Sequence, residues 1–295
     1  MTIPEPGSGY AGPIAARAKI NLYLHVTGRR DDGYHLLDSL FVRIDLADRI
    51  WWRPAHTDRL QVTGPFAAAL SADAAGDNLV LKAVESIRCA TGGTFCAEIV
   101  LEKNIPAAAG LGGGSADAAA MLKTFAAEFG GSIELDRLAL ALGADVPPCL
   151  VETPVLASGI GEILTPVPAL PDFGVVLVNP GVPVSTPAVF RRRTGRFSEA
   201  MPWDGSPRDI ASLVAALAQR RNDLEEPAWL EAPVIGRVLE ALEAEPDLLL
   251  ARMSGSGATC FGITEGPEKA QALAAAIAQR HPDWWTYGGA AVTVV

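Results

Sequence analysis

The chain has 295 residues, of which 49% are hydrophobic, and its 24 Lys and Arg against 34 Asp and Glu give a formal net charge of -10. An acidic protein has no extended positive field that attracts a polyanion, so this charge argues against a nucleic-acid partner, and phosphates must be bound by local devices. A chain of this length is near the useful limit of one hydrophobic core, which slightly favours two domains.

Membrane and disulfide chemistry are not indicated. No stretch approaches the ~18 consecutive apolar residues of a membrane helix, and the first ten residues lack the basic flank and apolar core of a signal peptide. The cysteines are scattered, without a C-x-x-C spacing, so we expect free thiols rather than a zinc site. They are Cys89, Cys96, Cys149 and Cys260. We therefore expect a cytoplasmic protein with no membrane partner.

The first half of the chain predicts strands followed by helices. Alternating apolar residues over 14–26 predict a half-buried strand that has Lys19 and Asn21 on its polar face, and residues 28–33 predict a turn. The later predicted elements are strands over 38–46, 49–53 and 95–105, and helices over 78–90, 115–129 and 135–142, the first with Asp77 as a possible N-cap.

The composition of the chain changes after residue 150. A run with Pro166, Pro168 and Pro171 is the candidate boundary region, and we expect domains over 1–158 and 159–295. Further strands are predicted over 175–178, 259–264 and 291–295, and further helices over 210–220, 233–243 and 267–280. Because strands and helices do not alternate regularly, the fold class predicted is α+β.

A glycine loop leads directly into the helix predicted from Ser115. Its residues are Pro106, Ala107, Ala108, Ala109, Gly110, Leu111, Gly112, Gly113, Gly114 and Ser115. Successive bare backbone N–H groups and a helix N-terminus bind a phosphate without Lys or Arg. A P-loop requires Lys before the Ser, and a Rossmann fingerprint requires Gly or Ala at 115 and a βαβ context, so neither fits. A flexible turn is the alternative.

Two further features carry weaker signals. Residues 253–259 form a second loop of small residues; with the first loop it suggests two backbone surfaces around one polyphosphate, and alone it is equally a structural turn. Lys19 and Asp145 are a possible catalytic pair, because an acid near a lysine stays ionised and accepts a proton from a hydroxyl. The alternative is that Lys19 and Asp145 are ordinary surface charges.

These segments together resemble the GHMP kinases, a family of small-molecule kinases. The matching segments occur in the family's order and span nearly the whole chain. They are residues 18–22, 25–30, 32–35, 78–79, 106–120, 143–147, 159–162, 222–225 and 253–259. The resemblance implies a two-domain α+β fold with the active site in the interdomain cleft, ATP as co-substrate and Mg²⁺.

Two segments, 33–35 and 159–162, resemble the members that act on a polyol linked to cytidine diphosphate. This implies transfer of the γ-phosphoryl group of ATP to the 2-hydroxyl of a methylerythritol carrying that group, in the non-mevalonate isoprenoid precursor pathway. By the same resemblance Asp145 is the catalytic base, Lys19 orients it and stabilises the transferring phosphoryl group, and residues 106–115 hold the ATP phosphates.

The resemblance also assigns the cytidine end of the substrate. Tyr34 offers a stacking surface, His35 a hydrogen bond to the base, Asn21 a polar contact and Phe190 a second aromatic wall. Packing at a strand entry is the alternative for Tyr34 and His35, and a core role is the alternative for Phe190.

The chain departs from the family at two places. Residues 148–150 are Pro-Cys-Leu where aromatic residues are usual, and residues 115–117 are Ser-Ala-Asp, which leaves the magnesium ligands open with Ser115 as a candidate. The arginines at 191–193 are expected to form a solvated face. The rival functions are another GHMP kinase, acting on homoserine, mevalonate or a sugar, and a non-catalytic nucleotide-binding regulator of the same fold.

Overall fold

The structure is a computed structural model that describes residues 3–5, 7–69, 78–130, 133–203 and 206–293. The described strands are β1 (Ala11–Arg29), β2 (His35–Ala55), β3 (Arg59–Thr63), β4 (Cys96–Glu102), β5 (Val155–Gly159), β6 (Ile163–Pro166), β7 (Gly174–Asn179), β8 (Leu250–Met253), β9 (Cys260–Thr264) and β10 (Trp285–Val292). The described α-helices are α1 (Leu79–Thr91), α2 (Gly113–Phe129), α3 (Leu135–Leu142), α4 (Pro147–Leu150), α5 (Thr186–Arg192), α6 (Ile210–Ala218), α7 (Glu225–Glu231), α8 (Val234–Glu243) and α9 (Pro267–Arg280).

The chain divides into two compact units that interleave along the sequence. Unit 1 comprises Met1–Ala18, Leu46–Ala107 and Gly112–Leu150. Unit 2 comprises Lys19–Asp45, Ala108–Leu111 and Val151–Val295. The domain limits expected from the sequence, 1–158 and 159–295, remain a prediction.

Unit 1 is a small sheet covered by helices. Strand β4 pairs in parallel with β3 and antiparallel with the second half of β2, where Arg49 faces Glu102 and Ala55 faces Cys96. Helices α1 and α2 pack against each other, and their apolar faces join the sheet in one core. Trp52 contributes to this core with its ring 4.7 Å from that of Phe125.

Helix α1 shows how local sequence sets an element's ends. The Asn78 side chain caps it by accepting a hydrogen bond from the Val80 N–H at 2.9 Å, and Gly92 ends it in the left-handed region at φ 64°. The possible N-cap Asp77 lies outside the described residues, and the cap of this helix is the next residue, Asn78.

Unit 2 is built on an antiparallel sheet. Its strand order is β2, β10, β7, β9, β8, with β5 paired to the first half of β2 and β6 to β5. Strand β7 is buried along its whole length, and helix α9 packs on β7 and β10. Its core includes Val176, Val178 and Ile277.

Strand β1 differs from the sequence prediction in its burial. The predicted strand over 14–26 is confirmed, but its predicted half-burial is wrong, because from Ala18 to Val26 both faces are buried. The face expected to meet solvent carries Lys19, Asn21, Tyr23 and His25, all under 5% exposed. Buried polar groups require polar partners, and β1 therefore supplies a polar network rather than a wet surface.

Two other differences concern continuity and length. The strands predicted over 38–46 and 49–53 are a single strand, β2. The short elements β3, β5, β6, β8, α4, α5 and α7 were not predicted, whereas α3 and α9 have the predicted bounds. No described helix combines the length and the apolar character needed to span a membrane.

Candidate active site

Lys19, the first candidate catalytic residue, lies on β1 in unit 2 and is 4% exposed. Its Nζ donates a hydrogen bond to Asn21 Oδ1 at 2.9 Å and lies 4.8 Å from the centroid of the Phe41 ring. Its backbone N–H donates to the Leu111 carbonyl at 2.9 Å, which joins β1 to the glycine loop. The ammonium is thus held in one place by buried neighbours.

Asn21 has both ends of its side-chain amide bound to protein. Its Oδ1 accepts from Lys19, and its Nδ2 donates to Ser39 Oγ at 2.8 Å. The Ser39 hydroxyl in turn donates to the Tyr23 carbonyl at 2.5 Å. The predicted substrate contact by Asn21 remains a prediction; the contacts that the structure gives this amide orient Lys19.

The unit 2 part of the first glycine loop, residues 108–111, packs on the second small-residue loop. The Ser254 hydroxyl donates to the Gly110 carbonyl at 3.1 Å, and the Thr259 N–H donates to the Ala109 carbonyl at 3.3 Å. Gly110 has φ +75°, and a Cβ there would lie 2.6 Å from the Ser254 carbonyl oxygen. The second loop therefore supports the backbone of the first, and only glycine fits at 110.

The unit 1 part of the loop begins helix α2, two residues before the predicted start at Ser115. Gly112 caps the helix at φ 66° without a side-chain bond, and a Cβ on Gly113 would lie 3.0 Å from the Ile105 side chain. Gly114 is different, since its φ is not positive and the nearest atom to a Cβ, on Leu79, would be 3.8 Å away.

Gly114 thus has no packing reason to be glycine, although glycine in a helix costs about 1 kcal/mol relative to alanine. The first N–H groups of a helix lack intrahelical partners and carry partial positive charge. A bare backbone at this position suits the close approach of an anion such as a phosphate.

Beneath the start of α2 lies a buried ion cluster that the sequence motifs do not reveal. Lys103 Nζ donates to Asp117 Oδ2 at 2.7 Å and to Asp48 Oδ2. The other oxygen of Asp48 accepts from the backbone N–H groups of Asn104 at 2.6 Å and Ile105 at 2.9 Å. This cluster ties the residues just before the glycine loop to the helix just after it.

Burial raises the pKa of the Asp117 carboxyl, and the nearby Asp48 raises it further, because ionising a second acid in a dry site is unfavourable. Lys103 opposes this shift but does not cancel it. Burial also lowers the pKa of Lys103, but the two carboxylates outweigh it and the net direction is upward. Oδ1 of Asp117 has no hydrogen-bond partner among the described residues. The sequence signal was present, since Lys103 and Asp117 flank the glycine loop, but Asp48 comes from a distant strand.

Asp145, the second candidate catalytic residue, lies in unit 1 in the turn between α3 and α4, and it is exposed. Gly143 ends α3 at φ +154°, and the Val146 N–H donates to the Gly143 carbonyl at 3.0 Å. Val146 and Cys149 are buried in the unit 1 core. The unusual residues 148–150 therefore anchor this turn by packing, and the predicted pairing of Asp145 with Lys19 remains a prediction.

His35 and Phe190, assigned by resemblance to the same end of the substrate, are in contact. His35 begins β2, Phe190 lies in α5, and their ring centroids are 4.9 Å apart with planes inclined by 24°. Tyr34 precedes them and is 59% exposed. Its backbone is fixed by the turn, since the Arg30 N–H donates to the Tyr34 carbonyl at 2.8 Å.

Burial lowers the pKa of the His35 imidazole, and the positive charges of Arg29 and Arg193 lower it further. The imidazole is therefore neutral at pH 7, and it has one nitrogen able to accept a hydrogen bond. The expectation that the arginines at 191–193 form a solvated face is wrong for Arg193. Its side chain is only 7% exposed and lies 3.9 Å from Asp223, and its guanidinium donates to the Arg196 carbonyl at 2.7 Å.

The described residues contain no preformed metal cage that would hold a magnesium ion by protein ligands alone. Within the part of the chain that the structure describes, no three His, Cys, Asp or Glu side chains cluster as a metal cage. Magnesium at kinase sites is usually bound by one or two protein oxygens together with substrate phosphates. Ser115, in the first turn of α2, is a donor of this kind, so the residues present fit an ion that arrives with the nucleotide. None of the four cysteines, all of which lie among the described residues, forms a disulfide.

Comparison with known proteins gives consistent matches along the chain. Residues 78–153 match the N-terminal domain of the GHMP kinases, and residues 197–283 match their C-terminal domain. The 4-diphosphocytidyl-2-C-methyl-D-erythritol kinase of Paramagnetospirillum magneticum is 52% identical over 275 residues, which cover 92% of this chain and 95% of the relative. That of Rhizobium meliloti is 47% identical over 284 residues, which cover 94% of each.

Solved structures agree with these relatives. A crystal structure of a 4-(cytidine 5'-diphospho)-2C-methyl-D-erythritol kinase has a TM-score of 0.78 and 36% identity, covering 94% of this chain and 98% of the other. A homoserine kinase from Cytophaga hutchinsonii has a TM-score of 0.69 at 18% identity, covering 98% of this chain and 97% of the other. At that identity it supports the fold alone.

Proposed function

The chain belongs to the 4-diphosphocytidyl-2-C-methyl-D-erythritol kinases of the GHMP family, and we propose from this that it transfers the γ-phosphoryl group of ATP to the 2-hydroxyl of 4-diphosphocytidyl-2-C-methyl-D-erythritol. Family membership confirms the predicted α+β GHMP kinase fold, and it confirms that the chain is a kinase with ATP as co-substrate. The pathway served is the synthesis of isoprenoid precursors.

The observation that carries the choice of substrate is the contact between His35 and Phe190. The resemblance assigned both residues to the cytidine end separately, from distant parts of the sequence, and their rings are in contact in the structure. Aromatic faces stack on any base, so selection of cytosine falls to hydrogen bonds. The neutral His35 imidazole accepts one from the exocyclic amino group of cytosine, which uracil lacks.

In the reaction, a bond forms between the substrate 2-hydroxyl oxygen and the γ-phosphorus, and the bond from that phosphorus to the β–γ bridging oxygen breaks. Asp145 accepts the hydroxyl proton, and ADP leaves. Phosphoryl transfer needs mainly positioning and charge stabilisation. Lys19 offsets negative charge on the transferring group, and the N–H groups of residues 106–115 hold the ATP phosphates.

Magnesium, when bound with ATP, neutralises charge on the phosphate oxygens, and the Ser115 hydroxyl is the protein oxygen proposed to contact it. We also propose a cytoplasmic location. The four cysteines, none of which forms a disulfide among the described residues, are consistent with it, because disulfides are rare in reducing compartments.

The test is ADP release by the purified protein with ATP and magnesium, in the presence and absence of 4-diphosphocytidyl-2-C-methyl-D-erythritol. We expect turnover that depends on this compound, and no comparable turnover with homoserine, mevalonate or galactose. Faster turnover with one of those acceptors would replace the proposed substrate. ATP binding without turnover on any acceptor would indicate a nucleotide-binding regulator instead.

A further inference from the structure

A chain of three hydrogen bonds in unit 2 runs from a backbone carbonyl to the Lys19 ammonium. The Ser39 hydroxyl donates to the Tyr23 carbonyl at 2.5 Å, Asn21 Nδ2 donates to Ser39 Oγ at 2.8 Å, and Lys19 Nζ donates to Asn21 Oδ1 at 2.9 Å. The three side chains that form it are 0%, 2% and 4% exposed in that order.

The direction of every bond in this chain is determined by its first member. A carbonyl oxygen only accepts, so the single hydroxyl proton of Ser39 points at Tyr23. The lone pairs of Ser39 then face Asn21, and they require the NH₂ group of its amide. The amide oxygen is left facing Lys19, whose ammonium only donates.

The reversed amide orientation would place two donors against each other. With Asn21 turned over, its NH₂ group would face the Lys19 ammonium and its oxygen would face a hydroxyl whose proton is already used. Buried polar groups in such a network cannot turn to water for compensation, so a mismatch of this kind is costly. Ser39 is therefore what makes one amide orientation the stable one.

We propose that Ser39 is a positioning residue, which orients the Asn21 amide and through it places the Lys19 ammonium for phosphoryl transfer. Ser39 reaches Lys19 through Asn21 in this arrangement. The catalytic consequence rests on the proposed function, but the orientation of Lys19 is measurable without it.

A double-mutant cycle tests the proposal on activity. We expect Ser39→Ala to lower kcat about 10-fold, because an amide released from Ser39 no longer holds its hydrogen bond to the charged Lys19 in place, while KM for ATP and for the cytidine substrate stays within about 3-fold. Asn21→Ala should lower kcat at least as much. The double variant should be no slower than Asn21→Ala alone, because Ser39 acts through Asn21.

Additive losses in the double variant would overturn the proposal, since they would mean that Ser39 acts independently of the amide. The matched control is Ser158→Ala, on the neighbouring strand β5, where Ser158 faces Asp38 of β2. It should leave kcat unchanged.

A second pair of variants separates the hydroxyl from the shape of the side chain, and it serves if Ser39→Ala does not fold. Ser39→Thr keeps a hydroxyl. Ser39→Val introduces a side chain of nearly the same shape as threonine but without a hydroxyl. We expect Thr to retain kcat within about 3-fold and Val to lose about 10-fold. Equal losses in both would indicate crowding and overturn the proposal.

Lysine side-chain ¹⁵N NMR supplies a readout that does not depend on turnover. The Lys19 ammonium signal, identified by its loss in Lys19→Met, should be protected from rapid exchange in the wild type and in Ser39→Thr, and shifted or lost in Ser39→Val. An unchanged signal in Ser39→Val would overturn the proposal. Absence of kinase activity together with the expected NMR changes would instead count against the proposed function alone.

Discussion

The imidazole of His35 lies against the ring of Phe190, with centroids 4.9 Å apart and planes inclined by 24°. One residue opens strand β2 and the other lies in helix α5, so the contact exists only in the folded chain. Tyr34, the residue before His35, is exposed, and we propose that these aromatic residues together form the platform on which the cytosine base stacks.

Replacing Phe190 by Leu should weaken binding of the cytidine substrate and little else. Leucine preserves the apolar packing of α5 but removes the aromatic face, and stacking is worth about 1–3 kcal/mol per base, so KM for this substrate should rise about 5- to 150-fold. Steady-state kinetics should show that KM for ATP stays within about 2-fold of the wild-type value. Phe197→Leu, at an exposed aromatic position seven residues away, is the control. Equal changes in both KM values would refute the role given to Phe190.

Substrate binding should depend on pH through His35. Burial, Arg29 and Arg193 hold the pKa of His35 below 6.5, so the neutral imidazole persists through pH 7. KM for the cytidine substrate should be flat above pH 6.5 and should rise as the pH falls through the lowered pKa, about 10-fold per unit beyond it. The free energy of unfolding depends on pH in the same direction. The contribution of His35 to stability is complete above pH 6.5 and is lost as the pH falls through its lowered pKa.

The control for this pH dependence is His35→Asn, measured over the same range. Titration of ATP itself affects both proteins equally, whereas the rise in KM for the cytidine substrate should be absent in the variant. A wild-type KM that rises instead between pH 7 and 8 would contradict the neutral-imidazole mechanism.

The periodic parts of the chain were predictable from the sequence. The bounds of α3 and α9 follow from apolar spacing, and the strand character of β1 from alternation. The burial of β1 was not predictable in the same way, because alternation of polar and apolar residues normally indicates that the polar face is exposed to solvent. Here the polar face is buried against Ser39 and Ser254, which are distant in sequence and have no local signature.

The candidate site likewise combines features that the local sequence predicts with features that depend on the fold. Phosphate binding by the glycine loop could be predicted locally, since both the bare backbone and the helix start lie within one segment, and it remains a prediction. The cluster of Lys103, Asp48 and Asp117 required knowing that β2 passes beside the end of β4 and the first turns of α2. The positions of His35, Phe190 and Asp145 entered through family resemblance, because single aromatic or acidic residues carry no chemistry that spacing reveals.

Two alanine substitutions in the glycine loop should have opposite effects. At Gly110 the positive φ and the Ser254 carbonyl 2.6 Å from a Cβ leave no room, so Gly110→Ala should lower the free energy of unfolding by about 1–3 kcal/mol. At Gly114 the site is open, so Gly114→Ala should leave stability unchanged or raise it by up to about 1 kcal/mol.

The second substitution is the informative one for function. If phosphate approaches the backbone at Gly114, the added methyl should raise KM for ATP about 10-fold, which is 1.4 kcal/mol. Denaturant unfolding and ATP titration of the same samples separate the two effects. A Gly114→Ala enzyme with normal KM for ATP would show that the phosphates bind elsewhere.

Removing the ammonium of the buried cluster should destabilise the protein strongly. Lys103→Met leaves Asp48 and Asp117 buried together without a cation, and breaking a buried pair in this way costs about 3–5 kcal/mol. Urea unfolding measures the loss. Lys269→Met, which breaks only exposed pairs with Asp247 and Glu265, is the control and should be nearly neutral. A loss at Lys103 no larger than that at Lys269 would mean that water enters the cluster.

Asp145→Asn should abolish phosphorylation while leaving nucleotide binding intact. The amide cannot take the proton from the substrate hydroxyl, and a positioned general base contributes about 10²- to 10⁴-fold, so kcat should fall by that factor. Calorimetric titration should give a Kd for ATP within about 3-fold of the wild type, because in the proposed mechanism backbone N–H groups, and not this carboxylate, hold the phosphates. Asp136→Asn, an exposed acid in the first turn of the neighbouring helix α3, controls for loss of charge in this region. A variant at 145 that turns over as fast as the one at 136 would remove Asp145 from the mechanism and leave the proton to water or to the phosphate itself.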